Sequence, residues 1–425
     1  MKSQVGSTFE AVGRSAPEEG AEHEAGARSR ILPDYAYYRD LFAGMEMPFA
    51  FVDLDQLRRN VRDICSRAAD KRIRIASKSV RSAAVMRHIL EADSQIQGLM
   101  CFGAHEAVDL SRQGFDDLLI AYPAVDPKAL RAVAEEVAKG KTLYLMVDCV
   151  EHVIRAERVG AALGVTLPLC LDLDMSTAFP GLHFGVYRSP IADKRTALAL
   201  WAEIRKHRHV RLDGLMGYEA QIAGVQDRIP GQFFKNAAIR LLKKWSLPKV
   251  VARRQEVIQA LRDEGAELVL VNGGGTGSVA TTVTESAVTE VTVGSGFYCS
   301  HLFDYYQSFD YRPAAGFALE VVRKPRPGMI TCAGGGYIGS GAPGWEKLPV
   351  PWLPRDLRLV PNEGTGEVQT PLILSNQSLA IGDPVFFRHS KAGELCERFT
   401  HLKLVSNGRV VEEVTTYRGD GACYF

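Results

Sequence analysis

The chain has 425 residues, 46% of them hydrophobic, so it can bury a sizeable core. Its 51 basic and 50 acidic side chains give a formal net charge of +1, which argues against the strongly basic surface of a nucleic-acid or membrane-surface binder. Eight cysteines without a CxxC pair are typical of reduced thiols, so we expect a cytoplasmic protein without a disulfide framework.

The first part of the chain carries no pattern of a folded element or of a targeting signal. Residues 1–30 are rich in Ala, Gly, Glu and Ser and lack an apolar stretch, which predicts a disordered tail and no signal peptide. No apolar run in the chain is long enough to span a bilayer, so we expect no membrane segment.

From residue 49 onward, short apolar runs alternate with segments of helical periodicity. The first run is FAFVDLD at 49–55, and eight more follow: IRIAS, GLMCF, DLLIAY, TLYLMVD, LPLCLDLD, RLDGLMG, ELVLVN and VTEVTV. Continuous apolar strands separated by helices are typical of a parallel sheet covered on both faces. Eight such units predict an α/β fold, a closed (β/α)8 TIM-type barrel within residues 31–299. The open doubly wound alternative is less favoured because no GxGxxG opens the first helix.

The pattern changes at about residue 300. Residues 300–425 contain β segments punctuated by Gly and Pro, which predicts a C-terminal all-β domain. We expect strand 49–55 to pair with that domain, since the barrel already has eight strands. Residues 222–248, an insertion after the sixth barrel strand, are expected to form a helical excursion near the active-site mouth.

Lys78 follows the first barrel strand, in IRIASKSVRS. Active sites of such barrels lie at the C-terminal ends of the strands. A lysine that closes an apolar strand is costly to bury as an ammonium ion, which favours a neutral amine able to form a Schiff base with an aldehyde. The alternative is a lysine that simply reaches solvent.

Two glycine-rich segments follow the seventh and eighth barrel strands. They read NGGGTGS at 272–278 and GSG at 294–296. Barrels often bind phosphate with backbone amides from these two loops, because glycine lets the backbone approach the anion. A phosphate site opposite an imine-forming lysine predicts pyridoxal 5'-phosphate (PLP) as the cofactor.

The order of short motifs resembles a known family. FVDLD, ASKSVRS, GLMGYEAQIAG, VNGGGTGS, TEVTVGSGFY and the C-terminal β domain are similar to the alanine racemase-like fold III PLP enzymes. The resemblance is strongest to the D-threonine aldolase and D-serine dehydratase branch, in particular its "amino acid deaminase/aldolase" members. It covers nearly the whole chain outside the tail.

The resemblance implies roles for individual residues. Lys78 is the implied Schiff-base lysine, Tyr218 a tyrosine near the cofactor ring, and His183 the counterpart of an arginine over the active site. Arg81 either serves a phosphate or carboxylate or faces solvent. The implied phosphate contacts are Gly274, Gly275, Thr276, Gly294 and Ser295.

The metal site is where the chain departs from the family pattern. Relatives of this type carry a His-x-Asp or His-x-Cys pair that holds a divalent ion against the substrate hydroxyl, whereas this chain reads His389-Ser390-Lys391. A protonated lysine is a poor ligand for such an ion. Three interpretations stay open: His389 recruits Glu394 or Cys396 for the metal, the charge of Lys391 replaces the metal, or the segment is an ordinary β strand.

The resemblance implies a PLP-dependent lyase that acts on D-3-hydroxy amino acids. The reaction is retro-aldol cleavage to glycine and an aldehyde, with His389 as the first candidate base, or dehydration and deamination. One alternative is an amino-acid racemase whose second base is a tyrosine such as Tyr337 from a partner subunit. Others are a non-catalytic PLP-binding protein and a sugar-phosphate barrel enzyme without PLP.

A homodimer is the oligomeric state that this resemblance implies. In this fold the β domain of one chain closes the barrel mouth of the other. The aromatic-rich segment 297–311 is a candidate for that interface, and a hydrophobic hinge within one chain is the alternative.

Overall fold

The computed structural model describes residues 33–375 and 378–424, so the predicted tail over 1–30 lies outside the described residues. Strands, numbered in chain order, account for both parts of the fold. Those of the first part are β1 (Phe49–Asp53), β2 (Arg72–Ala76), β3 (Ile96–Cys101), β4 (Leu118–Ile120), β5 (Leu143–Val147), β6 (Leu167–Asp172), β7 (Thr177–Phe179), β8 (Leu182–Phe184), β9 (Val210–Gly217), β10 (Leu270–Gly273) and β11 (Glu290–Val293).

Eight of these strands form the closed barrel that the sequence predicts. The order around the barrel is β10, β11, β2, β3, β4, β5, β6 and β9, and all neighbours are parallel. The barrel closes where Leu270 of β10 pairs with Gly214 of β9. The eight strands are the eight predicted runs after FAFVDLD, so the predicted TIM-type fold is confirmed.

Helices between the barrel strands cover the outside of the barrel, whereas the first helix packs Tyr38 against Trp352 and Phe386 of the all-β part of the chain. The helices are numbered in chain order. They are α1 (Tyr35–Leu41), α2 (Leu54–Ala68), α3 (Ala83–Ala92), α4 (Ala104–Arg112), α5 (Pro127–Ala138), α6 (Val150–Leu163), α7 (Lys194–Ile204), α8 (Ala220–Ala223), α9 (Phe233–Asp263), α10 (Val279–Thr282) and α11 (Ser295–Tyr298). Side-chain caps fix several of their starts. Asp53 accepts from the amides of Asp55 and Gln56 to begin α2, and Asp126 caps α5, whose first residue is Pro127. None of the described helices is both long and apolar enough to cross a membrane.

The barrel interior holds a buried ion pair. Arg74 on β2 is 1% exposed and donates from Nε and Nη2 to the two oxygens of Glu290 on β11, at 2.6 and 2.9 Å. Its Nη2 also donates to Asp117 at 2.8 Å. A Cβ on Gly98 would lie 2.5 Å from Arg74 Nη1, and Gly98 has φ +68°, so glycine is required there. This charged network fills part of the barrel interior, beside a separate cluster of buried apolar side chains that includes Met216.

The rest of the chain forms an all-β sheet. Its strands are β12 (Ala315–Arg323), β13 (Met329–Ala333), β14 (Val350–Leu353), β15 (Leu357–Leu359), β16 (Gln369–Leu374), β17 (Pro384–Arg388), β18 (His401–Ser406) and β19 (Arg409–Thr415). Strand β1 lies in this sheet and not in the barrel: Phe49 pairs antiparallel with Ala318, and Ala50 pairs parallel with Leu402. The sheet is therefore built from both ends of the described chain.

The insertion after the sixth barrel strand is helical. It contains the short helix α8 and the 31-residue helix α9, which passes through Pro248 and continues to Asp263. The predicted excursion over 222–248 is therefore continuous with the helix that returns the chain to β10. The residues at its start, Ala223 and Gly224, lie at the mouth of the barrel.

The aromatic-rich segment 297–311 is packed inside its own chain. Phe297 and Tyr298 are fully buried, and Tyr306, Phe309 and Tyr311 are buried in the main core. This placement agrees with the hinge interpretation. The homodimer stays a prediction.

Candidate active site

One cavity at the C-terminal end of the barrel collects most of the sequence-predicted site residues. Its empty space, counted with the part that is open to solvent, is about 740 Å³. Every element around it is a strand end or the loop after one. The lining includes Lys78, Tyr122, Arg188, Tyr218, Asn272, Gly274, Gly275, Thr276, Thr292, Gly294 and Ser295.

Lys78 stands in the short 3₁₀ turn Ser77–Ser79 directly after β2. The turn is anchored through its backbone, because the Lys78 carbonyl accepts from Arg81 Nε at 2.9 Å and from the Gly393 amide at 3.2 Å. The side chain lines the cavity and is exposed through its open mouth, contrary to the expectation of a buried lysine. Arg81 thus anchors the turn that carries Lys78, and its guanidinium also pairs with Glu397 at 2.7 Å.

The two glycine-rich loops meet at the wall of the cavity, and the second lies beside the Lys78 turn, with Ser295 Oγ 3.4 Å from Ser79 Oγ. The Gly296 amide donates to Thr276 Oγ1 at 3.1 Å, which ties the loop after β10 to the loop after β11. A Cβ on Gly275 would lie 3.0 Å from Tyr218 Cε2, and one on Gly294 would lie 2.5 Å from Ser79 Oγ. Glycine is required at both positions because neighbouring side chains lie so close to the backbone. Together the two loops form a narrow cradle of the kind that holds a phosphate.

Tyr218 ends β9 and faces the cavity beside the first glycine loop. Burial and the neighbouring Glu219 carboxylate raise the pKa of its phenol to about 12. The phenol is therefore protonated at neutral pH and acts as a hydrogen-bond donor rather than as a base.

His183 does not line the cavity. It lies in the hairpin of β7 and β8, where its ring stacks on Tyr187 with 4.1 Å between centroids. The residue that does reach the cavity from this part of the chain is Arg188, which the sequence analysis missed. No periodicity marks Arg188, because it lies in an irregular segment after the hairpin.

Arg188 is held by contacts from three directions. Its Nε donates to Asp172 Oδ2 at 2.8 Å, its Nη2 donates to the Ala121 carbonyl at 2.7 Å, and its guanidinium carbon lies 4.7 Å from the Tyr122 ring centroid. Burial raises the pKa of Asp172 to about 6, and the Arg188 charge partly opposes that rise. The pair is therefore ionised at neutral pH and keeps a guanidinium at the cavity wall.

Asn272 and Thr292 bring neutral polar groups to the lining of the cavity. Asn272 Nδ2 donates to Glu290 Oε1 at 2.7 Å and to Thr292 Oγ1 at 2.8 Å, so the amide is fixed by the ion-pair network below it. Asn272 begins the predicted NGGGTGS segment, but its role as a lining residue follows only from the closed barrel, which brings it beside Thr292.

His389 lines a second cavity, between the β domain and the back of the Lys78 turn. It is 2% exposed, its Nε2–H donates to the Ala392 carbonyl at 2.7 Å, and burial lowers its pKa to about 3. The imidazole is thus neutral, and its nitrogen on the Ala392 side is engaged. Tyr337 lines the same second cavity and packs between Phe317 and Phe399, so it does not reach Lys78 of its own chain.

The groups around His389 do not fit a divalent ion. Lys391 Nζ donates to the carbonyl and hydroxyl of Ser340, at 3.2 and 3.1 Å, and both oxygens of Glu394 are hydrogen-bonded to Ser340 as well. Cys396 Sγ donates to the Val80 carbonyl at 3.2 Å. An ammonium group therefore occupies the place of the second family ligand.

Lys391 is electrostatically coupled to the first cavity. Burial lowers the pKa of Lys391, Glu394 opposes this, and the charges of Lys347 and Lys78 lower the pKa further. Lys391 and Lys347 converge, since each Nζ lies 3.9 Å from the position of a Cβ on Gly341. The two lysines therefore concentrate positive charge at this place on the β domain.

One other group among the described residues brings three potential metal ligands together. Ligand atoms of Asp148, Cys149 and His152 lie within 4.8 Å of one another, at the junction of β5 and α6. Asp148 and His152 are hydrogen-bonded at 3.0 Å. These residues are not part of the cavity that Lys78 lines.

Comparisons with known proteins agree with this geometry. The chain is 23% identical over 236 residues to the 3-hydroxy-D-aspartate aldolase of Paracoccus denitrificans (strain Pd 1222), a match that spans 55% of this chain and 55% of that protein's length. It is 22% identical over 311 residues to the D-threonine aldolase of an Arthrobacter species, which covers 71% of this chain and 75% of that protein.

Solved structures share the fold. The D-threonine aldolase of Filomicrobium marinum superposes with a TM-score of 0.74 at 20% identity, over 88% of this chain and 95% of that one. The D-threo-3-hydroxyaspartate dehydratase of Delftia sp. HT23 gives a TM-score of 0.69 at 17% identity, over 90% and 99%. The alanine racemase N-terminal domain model matches residues 52–301, more than half of the chain. The chain therefore belongs to the alanine racemase N-terminal domain family, as the motifs predicted.

Proposed function

We propose that the chain is a PLP-dependent lyase that cleaves or dehydrates a D-configured 3-hydroxy amino acid, with the cofactor attached to Lys78. The observation that carries the proposal is the single cavity that joins Lys78 to the glycine-rich loops after β10 and β11. A primary amine and a phosphate cradle that line one cavity match the two attachment points of PLP.

The residues present fit the cofactor. The Thr276 amide donates to no acceptor among the described residues, and Thr276 lines the cavity, so this amide is available to a phosphate. Because Gly275 and Gly294 carry no side chains, a ligand in the cradle can approach their backbone. When bound, PLP supplies an electron-accepting pyridine ring that stabilises negative charge released at the substrate Cα.

The chain's own residues then bind the substrate and move protons. The Arg188 guanidinium offers a fixed positive charge to a substrate carboxylate. The Lys78 amine is placed to take the Cα proton that dehydration requires, and Tyr218 donates a hydrogen bond from the opposite wall. Retro-aldol cleavage needs a base for the β-hydroxyl, and among lining side chains Tyr122 and Lys78 face that space.

The substrate class is supported by the names of the relatives. An aldolase of 3-hydroxy-D-aspartate, an aldolase of D-threonine and a dehydratase of D-threo-3-hydroxyaspartate all handle an amino acid with a hydroxyl on Cβ. The shared chemistry is activation of the Cα–Cβ or Cβ–O bond. A cytoplasmic location and a homodimeric state stay predictions from the sequence.

The test is to record the visible spectrum of the purified protein, reduce it with borohydride and map the labelled peptide. We expect a yellow protein whose phosphopyridoxyl group maps to Lys78. The Lys78→Ala variant should lose the label, whereas Lys141→Ala, at the opposite end of the barrel strands, should keep it. A protein that takes up no PLP when supplied would overturn the proposal.

Substrate screening then separates the reaction types. Glycine and an aldehyde from D-threonine or 3-hydroxy-D-aspartate indicate cleavage, and a 2-oxo acid with ammonia indicates dehydration. Interconversion of D- and L-alanine without either product would favour the racemase instead. A PLP adduct at Lys78 without turnover of any of these amino acids would favour a non-catalytic PLP-binding protein.

A further inference from the structure

Glu219 is a buried carboxylate behind the first glycine-rich loop. It is 1% exposed and accepts from Arg254 Nη2 at 2.6 Å, from the Gly274 amide at 3.3 Å and from Ser278 Oγ at 2.8 Å. Thr282 Oγ1 donates to it as well. One carboxylate therefore contacts the loop at Gly274 and Ser278 and the helix after it at Thr282.

These contacts decide which loop amides remain available. The Gly274 amide is committed to Glu219, and the Gly275 amide donates to Ser278 Oγ at 3.1 Å, whose hydroxyl in turn donates to Glu219. The next amide, that of Thr276, has no acceptor among the described residues. The loop therefore bends around the carboxylate and leaves the Thr276 amide for a ligand in the cavity.

We propose that Glu219 is a positioning residue for the cofactor phosphate, which it serves by fixing the loop so that Thr276 faces the anion. The inference rests on the proposed function, since it takes PLP as the occupant of the cavity. Glu219 itself does not line that cavity. It acts through the loop.

Charge is not the means by which Glu219 acts. Arg254 is fully buried and pairs with both Glu219 and Glu285, so one positive charge meets two carboxylates. A net negative group would repel a phosphate and not attract it. The benefit must come from the acceptor geometry, which a neutral amide can reproduce: the oxygen of a glutamine can accept from Gly274, and its NH2 can donate to the Ser278 hydroxyl.

Glu285 provides a matched control. It contacts Arg254 as Glu219 does, and it makes no hydrogen bond to residues 273–278 among the described contacts. The experiment measures PLP affinity by absorbance titration and the ³¹P chemical shift of bound phosphate in Glu219→Ala, Glu219→Gln and Glu285→Ala. A purely structural role would weaken the thermal stability of both alanine variants and leave the phosphate signal unchanged.

We expect Glu219→Ala to weaken PLP binding roughly tenfold to a hundredfold and to shift the ³¹P resonance, because the Gly274 amide loses its acceptor and the Ser278 hydroxyl, which holds the Gly275 amide, loses its own. Glu219→Gln should restore affinity to within about threefold. Glu285→Ala should keep both the affinity and the resonance. If Glu219→Ala does not fold, Ser278→Ala replaces it, since it removes the loop contact and keeps the Glu219–Arg254 pair.

Three outcomes would overturn the inference. They are unchanged PLP affinity in both Glu219→Ala and Ser278→Ala, equal losses in Glu219→Ala and Glu285→Ala, and failure of Glu219→Gln to recover. In each of these cases the wild type still takes up PLP on Lys78, so the proposed function stands. Wild-type protein that takes up no PLP would overturn both proposals before any variant is compared.

Discussion

Arg188 and Asp172 form a 2.8 Å ion pair at the wall of the cavity, with Asp172 98% buried in its side chain and Arg188 82% buried. Neither residue belongs to a recognisable motif. The pair places a guanidinium within the space that a substrate carboxylate would enter. Its state of protonation therefore links the pH of the medium to substrate binding.

The first prediction concerns that pH dependence. Because burial raises the pKa of Asp172 to about 6, the carboxylate is ionised above pH 6 and protonated below it. Below pH 6 Arg188 loses its partner, so kcat/KM for a D-3-hydroxy amino acid should fall on the acid side with a midpoint near 6. In Asp172→Asn this acid limb should be absent and kcat/KM should be low at all pH values. An unchanged limb in Asp172→Asn would assign it to another group.

The second prediction concerns metal ions. Lys391 occupies the place of a family metal ligand, and its Nζ is bonded to Ser340, so we expect activity to survive chelation and elemental analysis to find no stoichiometric divalent ion. Lys391→Met should lower kcat by roughly tenfold to a hundredfold if its charge assists the reaction, and Lys391→Arg should retain more activity.

Lys194→Met is the control for the lysine variants, since Lys194 is an exposed residue paired with Glu256 on the outside of the barrel. It should leave kcat unchanged. A tightly bound ion whose removal abolishes activity would contradict the role assigned to Lys391.

The third prediction concerns the ion pair inside the barrel. Glu290→Gln should leave Arg74, which is 1% exposed, without a full counter-charge and should lower the free energy of unfolding by about 3–5 kcal/mol. Glu256→Gln removes an exposed partner of Lys194 at 2.8 Å and should cost about 0–1 kcal/mol. Urea denaturation of both variants measures the difference. Equal effects would mean that the buried pair contributes no more than a surface pair.

The fourth prediction concerns the pH dependence of stability. Glu106 is fully buried, and desolvation raises its pKa to about 7 although Tyr417 and the Phe102 amide donate to it. A folded-state pKa above the unfolded value means that stability is present at low pH and is lost as the pH rises through 7. Glu106→Gln should remove that loss. The free energy of unfolding of the variant, relative to that of the wild type, should therefore rise by about 1–3 kcal/mol from pH 5 to pH 8.

Glu136 gives the control of opposite sign. Burial alone would raise the pKa of Glu136, but hydrogen bonds from Lys139 and Ser111 outweigh burial and lower it. Its contribution to stability should be present at neutral pH and should fall in acid. The free energy of unfolding of Glu136→Gln should therefore lie furthest below that of the wild type at neutral pH. Parallel pH profiles for Glu106→Gln and Glu136→Gln would contradict both assignments.

The barrel was predictable because its determinants are local. Each strand is a continuous apolar run, each helix has its own periodicity, and position at a strand end places Lys78 and the two glycine loops on one face. The all-β sheet follows from the change of pattern at residue 300. The place of β1 in that sheet follows because eight other predicted strands already complete the barrel.

The remaining site residues were not predictable, because their roles depend on contacts between distant segments. Arg188 reaches the cavity only through Asp172 and the Ala121 carbonyl, and Glu219 is defined by a loop more than fifty residues away. His183 was assigned by motif alignment, and the hairpin instead stacks it on Tyr187. Such pairings leave no periodic signal in the sequence.

The position of β1 has a consequence for how the protein is made and divided. Phe49–Asp53 precedes the other described strands in the chain, yet its two neighbours are formed by residues 315–318 and 402–405. All five of its side chains are buried in the finished sheet. A fragment that ends at residue 299 would therefore expose an unpaired apolar strand at its beginning, which favours aggregation. Residues 315–318 and 402–405 must therefore be made before β1 gains its neighbours, and a single cut between the barrel and the later strands would leave β1 on the barrel fragment.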